Sequence, residues 1–239
     1  MKSFASVAAL ADLLRTFRQQ LRVLPAPVPR QWWTRLAVGW VATAAFVIAS
    51  SIYVQRHVAD GQVAWDFSVL RAVVDSGVSL TGALWLGTCT NTVFIVPLVF
   101  ALTAWWIARG RPLEASATLL AIPGTATTVV LGWWLAGRDR PTFLLGSELD
   151  SSFPSYPSGH VAQAACFYGL LCWFWFRSSR STIERAMIVF VWLAVVAATA
   201  FVRLRIETHW PTDVLGGLVV GTMWLATLVW GLKLGRSRR

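Results

Sequence analysis

Stretches of apolar residues long enough to cross a bilayer recur along the whole chain, and they restrict it to a fold with an apolar outside. Crossing about 30 Å of hydrocarbon takes roughly 20 helical residues. Five stretches meet that length directly: 36–54, 84–108, 115–136, 183–202 and 214–234. A sixth, 161–176, is short and reaches the length only if its helix starts near Ser158. In lipid every backbone N–H and C=O must find a partner within the protein, which favours helices for segments of this kind. The expectation is an all-α fold, a bundle of six transmembrane helices. Composition agrees: 56% of the 239 residues are hydrophobic and 13% charged, about half the ~25% charge of a soluble domain.

The first thirty residues follow another pattern. Phe4, Val7, Leu10, Leu13, Leu14 and Phe17 recur near helical spacing, while Arg15, Arg18 and Arg22 occupy other positions. This predicts an amphipathic helix lying at the membrane interface. Three prolines between Leu24 and Pro29 and the lack of a continuous apolar core predict no cleavable signal. Pro123-Gly124 reads as a kink within the third stretch, and Thr88, Thr90, Asn91 and Thr92 as candidates for bonds between helices. Without repeats or linkers, residues 1–239 read as one domain.

Lys and Arg outnumber acids 21 to 11, a net charge of +10. The basic residues flank apolar stretches and form no stripe, so anionic headgroups are the expected partners and nucleic acid is not. Lipid-facing chains keep Lys and Arg on the cytoplasmic side. With the N-terminus there, fifteen basic residues lie inside and six outside (Arg56, Arg71, Arg138, Arg140, Arg203, Arg205), and both termini are cytoplasmic. Segments 55–83, 137–157 and 204–212 are then external, the first with enough apolar residues for a short interfacial helix. Cys89, Cys166 and Cys172 lie in apolar stretches and predict neither a disulfide framework nor a metal site.

The external ends of the third, fourth and fifth stretches carry the chemistry. Arg138 and Arg140-Pro141 follow the third stretch, Pro157-Ser158-Gly159-His160 opens the fourth, and Arg203, His209 and Asp213 follow the fifth. Pro157 suits a first helical turn, whose following N–H groups lack intrahelical partners and favour an anion. Gly159 lets that anion approach, and Ser158 adds a hydroxyl. His209 and Asp213 are four apart, so one helical turn can set the carboxylate beside the imidazole. Arg140 and Arg203 can clamp phosphoryl oxygens. Arg138, two residues before Arg140 in an extended segment, would face the same way and supply a further cation. His57, the remaining histidine, reads as interfacial, and Arg205 and Glu207 as a local pair or substrate contacts.

This order of residues resembles the three-part signature of the phosphatidic acid phosphatase type 2 superfamily: KxxxxxxRP, PSGH and SRxxxxxHxxxD. Arg140-Pro141 matches the end of the first part, Pro157 to His160 the whole second, and Arg203, His209 and Asp213 the third, all within residues 133–217. Two positions depart from it: Trp133 stands where the family has Lys, and Val202 where it has Ser. The resemblance implies a membrane lipid phosphatase that uses no metal or cofactor. His209 would form a phosphohistidine, Asp213 hold its ring, and His160 move the proton. It implies a lipid phosphate substrate: undecaprenyl pyrophosphate, favoured by an external site in a bacterial inner membrane, or a phosphatidylglycerophosphate or phosphatidic acid. A phosphotransferase and a non-catalytic lipid-binding or transport protein are the rival expectations.

Overall fold

The computed structural model describes residues 2–58, 64–141 and 153–235, the side chains of 2–7 and 235 excepted. Among these residues there are helices and turns and no strand. Nine helices follow in order: α1 (Lys2–Val23), α2 (Pro27–His57), α3 (Ala64–Val74), α4 (Leu80–Gly87), α5 (Thr92–Ala108), α6 (Pro112–Ala136), α7 (Gly159–Phe176), α8 (Thr182–Arg205) and α9 (Pro211–Leu232). Among the described residues, five helical segments are long and apolar enough to cross a membrane: α2, α4 with α5, α6, α8 and α9. The stretch at 161–176 becomes α7, whose eighteen residues begin at Gly159. Its first two turns carry His160 and Gln163, and it packs between α6, α8 and α9.

Local chemistry sets the ends of these helices. Pro27, Pro112 and Pro211 each occupy the first turn, where a missing N–H costs nothing. Gly137 ends α6 with φ 57°, a left-handed conformation that glycine adopts without a Cβ clash. The second apolar stretch is not one continuous helix. Its chain turns at Thr88–Thr90, and the Asn91 side chain caps α5 by accepting from Val93 N at 3.3 Å. Thr88 and Thr90 bond back to the carbonyls of Leu84 and Gly87. These polar groups therefore break and cap a helix, where bonds between helices were expected. α6 runs on through Pro123, and Gly124 serves packing: a Cβ there would lie 2.1 Å from the indole of Trp224.

The core lies between α2, α5, α6, α7 and α9, with Trp32, Ile95, Phe167, Leu170, Trp224 and Leu228 buried together. Outward faces remain apolar: Trp134 is 84% exposed and Val93 82%. Apolar surface on this scale belongs against hydrocarbon. Cys166 is buried in the core, Cys172 half-buried and Cys89 exposed. On the opposite side from the residues of interest, α1 lies across α5 and α6. Leu13 and Phe17 pack beside Trp106 and Phe174, and the Gln20 amide donates to the Ile107 carbonyl at 2.8 Å. Phe4 and Val7 of its apolar set, and Arg236, Arg238 and Arg239 at the other terminus, lie outside the described side chains.

Candidate active site

α7 and α9 both start at the end of the bundle where α8 finishes. Their close approach depends on small residues of α9. A Cβ on Gly217 would sit 2.4 Å from the Ser158 carbonyl oxygen, and one on Gly221 2.3 Å from that of Ala162. The two starts are also joined directly, because Ser158 N donates to the Asp213 carbonyl at 2.9 Å. The Tyr156-Pro157 peptide is cis. Ser158 is fully buried, its Oγ has no partner among the described residues, and no side chain caps α7.

His209 is carried by the turn between α8 and α9. That turn contains Glu207, buried with φ 52°, a left-handed conformation that costs a side-chain-bearing residue about 1–3 kcal/mol. The imidazole Nδ1 lies 2.8 Å from the carbonyl oxygen of Ser155 and 3.7 Å from Asp213 Oδ2. A carbonyl can only accept, so Nδ1 carries the hydrogen and Nε2 holds the free lone pair. The sequence expectation had the Asp213 carboxylate as the group bonded to this ring. It is adjacent, yet the hydrogen bond goes to backbone. Burial holds His209 below the ordinary histidine range, and the charges of Arg140 and Arg203 add to the effect, while nearby Asp213 opposes it.

Asp213 instead organises the start of α9. Its Oδ2 accepts from Trp210 N at 2.8 Å, and its Oδ1 accepts from Arg138 Nη1 at 2.8 Å. Arg138 was expected to face an anion beside Arg140. It is turned inward, with no exposed side-chain surface, and its Nη2 donates to Asp66 Oδ2 at 2.8 Å. The guanidinium stacks 5.1 Å over Trp210 and also bonds the Thr212 hydroxyl. Residues 137–141 form no strand, so a spacing of two does not put both arginines on one face.

Asp66, on α3, was missed from sequence. It is fully buried and accepts from Thr212 N at 2.9 Å and Thr212 Oγ1 at 2.7 Å, besides Arg138. Asp66 and Leu70 are one turn apart and equally buried, and this was the available signal: a single carboxylate at helical spacing from the apolar residues of a short helix.

Arg140, His160 and Arg203 complete the set. Arg140 Nε donates to the Phe153 carbonyl at 3.0 Å and Nη1 to the Thr208 carbonyl at 2.7 Å, which fixes it beside the His209 turn. Arg203 lies in the last turn of α8, and its Nε has no partner among the described residues. Arg203 and Arg140 lie close enough for their charges to act on His160, in the first turn of α7, and on His209. Two imidazoles and two guanidiniums thus meet at an uncapped helix start, an arrangement suited to an oxyanion. Gly159 leaves that start uncovered, with Trp133 Cζ2 3.7 Å from where its Cβ would be.

The other polar residues considered lie elsewhere. His57 is exposed at the end of α2 beside the Tyr53 ring, 5.0 Å between centroids. Arg205 Nε donates to the Val78 carbonyl at 2.7 Å, tying α8 to the chain before α4. Among the described residues no three His, Cys, Asp or Glu side chains group as metal ligands.

Residues 115–235 match the family model described as the PAP2 superfamily. The chain is 30% identical over 147 residues to phosphatidylglycerophosphatase B of Bacillus subtilis, covering 60% of this chain and 69% of that protein. Its fold is similar to the crystal structure of a transmembrane PAP2-type phosphatidylglycerolphosphate phosphatase from the same organism, with TM-score 0.66, 19% identity, and coverage of 84% of this chain and 97% of the other.

Proposed function

Because this chain belongs to the PAP2 superfamily, we propose that it is an integral membrane lipid phosphatase acting on a phosphate monoester or pyrophosphate through a phosphohistidine. The six spans are α2, α4 with α5, α6, α7, α8 and α9, with the termini cytoplasmic and the site on the external face. α1 lies along the cytoplasmic interface. What supports the reading is that the charges of Arg140 and Arg203 act on both His160 and His209 beside a helix start that no side chain caps.

The mechanism follows from those groups. Nε2 of His209 attacks phosphorus and the bond from phosphorus to the leaving oxygen breaks. His160 supplies the proton that the leaving oxygen takes up, so the lipid alcohol departs neutral. The same imidazole then removes a proton from water, whose oxygen attacks the phosphohistidine, and Nε2 is released with inorganic phosphate. The sum is ester plus water giving alcohol plus phosphate. Arg140, Arg203 and the N–H groups of Gly159 and His160 hold the equatorial oxygens, where charge gathers. Asp213 and Asp66 act at one remove, through Arg138 and the start of α9.

The test is phosphate release from detergent-solubilised lipid phosphates by the purified full chain, with and without EDTA. Release that persists in EDTA, is blocked by vanadate and is absent from His209→Ala is expected. Activity retained by His209→Ala, or lost in EDTA and restored by Mg²⁺, would sink the mechanism.

A further inference from the structure

We infer that the substrate carries a single phosphoryl group, and that the carbons next to its ester oxygen lie in an aromatic groove walled by Trp133, Trp134 and Phe153. The inference rests on the phosphatase reading above and narrows it.

The first argument is charge. Six arginines stand on this side of the chain, and residues 59–63 and 142–152 contribute no Lys or Arg. Arg138 is committed to Asp66 and Asp213, with no exposed surface. Arg71 sits beside Asp75 at 3.6 Å on the exposed face of α3, and Arg56 is exposed at the end of α2. Arg205 gives its Nε to the Val78 carbonyl, and its Nη1 is buried without a partner among the described residues. Arg140 and Arg203 are the arginines whose charges bear on both histidines. Two guanidiniums match one phosphoryl group of about −1.5 to −2 charge. A pyrophosphate brings a second anionic group, and the groove beside the seat offers it no charged side chain.

The second argument is what stands beside the phosphate seat. Trp133 Nε1 donates to the Pro157 carbonyl at 3.2 Å, and its ring lies next to Gly159 and stacks on Phe153 at 5.5 Å. These rings edge a cavity of about 430 Å³, lined by Val130, Trp133, Trp134, Gly137, Phe153 and Pro154, without a charged side chain. Val130 and Trp134 belong to the outward face of α6, 41% and 84% exposed, so the groove opens sideways toward hydrocarbon. At its inner end the Phe153 carbonyl holds Arg140. A lipid whose phosphate rests between Arg140 and Arg203 would therefore lay its first carbons along the indole. A second phosphate there would meet an apolar wall.

The experiment compares kcat/KM of the purified full chain on one prenyl alcohol bearing either one phosphate or two. Wild type is expected to favour the monophosphate by at least about tenfold, and Trp133→Lys to shift the ratio toward the pyrophosphate by about tenfold or more. Phe153→Ala is expected to raise KM for the prenyl monophosphate by at least about tenfold more than for a short water-soluble phosphate ester, and it serves if Trp133→Lys does not fold. A wild-type preference for pyrophosphate, an unmoved ratio in Trp133→Lys, or equal effects of Phe153→Ala on both esters would overturn the inference and leave the phosphatase reading standing. No release from either lipid by wild type would overturn both.

Discussion

Nδ1 of His209 lies 2.8 Å from the carbonyl oxygen of Ser155, so the ring is oriented by backbone and its Nε2 keeps the free lone pair. The carboxylate four residues on has a different task, and the two roles separate experimentally. His209→Ala is expected to abolish phosphate release with a small change in melting temperature. Asp213→Asn is expected to lower both, since removing one partner of a buried ion pair costs about 3–5 kcal/mol. Parallel thermal melts and phosphate assays check this. An Asp213→Asn protein as stable as wild type would contradict the role given to the carboxylate.

Asp66→Asn is the matching test on α3. The amide can still accept from Thr212 N but no longer balances Arg138, whose guanidinium lies 2.8 Å away. Stability is expected to fall by a few kcal/mol, with activity reduced although residue 66 touches no substrate. The sign of the cause is checked by Asp66→Glu, which keeps the charge and should recover more stability than Asn.

The pH dependence follows from burial. His209 titrates below the ordinary value of about 6.5, so the acid limb of kcat/KM that reports its protonation is expected below pH ~6.5. The same shift affects stability. The unfolded chain takes up the proton first, so the stability gained from the neutral buried ring is complete above about pH 6.5 and is lost as pH falls through the lower folded value. Melting temperatures of wild type should therefore drop more steeply on acidification than those of His209→Ala.

Gly217→Ala tests the approach of α7 to α9. The added methyl would lie 2.4 Å from the Ser158 carbonyl oxygen, a backbone atom that cannot turn aside. Overpacking of this sort costs about 1–3 kcal/mol. Because the displaced backbone belongs to the proposed phosphate seat, kcat/KM should fall further than stability alone requires, measured at a temperature where the variant remains folded.

The apolar stretches and the spacing of Arg140, His160, Arg203, His209 and Asp213 were legible because each rests on side-chain type and distance along the chain. Three features were not. The acceptor on His209 is the Ser155 carbonyl, and backbone carries no signature in a sequence. Arg138 was misjudged since a pair of residues two apart shares a face only in a strand. Asp66 was passed over within a segment read only for its apolar residues, and its partners lie at positions 138 and 212. The break at Thr88–Thr90 was visible as a polar cluster, but composition does not say whether such groups bond across helices or cap one.

α7 and α9 begin side by side with unequal endowments. α9 has the N–H groups of Trp210 and Thr212 met by the side chains of Asp213 and Asp66, whereas no side chain caps α7 and the Ser158 hydroxyl is unmatched among the described residues. An anion in the proposed phosphate seat would supply the cap that α7 lacks and stabilise the fold on binding. Inorganic phosphate, the product, would serve equally well. Product inhibition and thermal protection should then follow one saturation curve, the protection reaching about 2.7 kcal/mol at a hundred times Kd. The best-ordered form of this protein would be the one that has just stopped working.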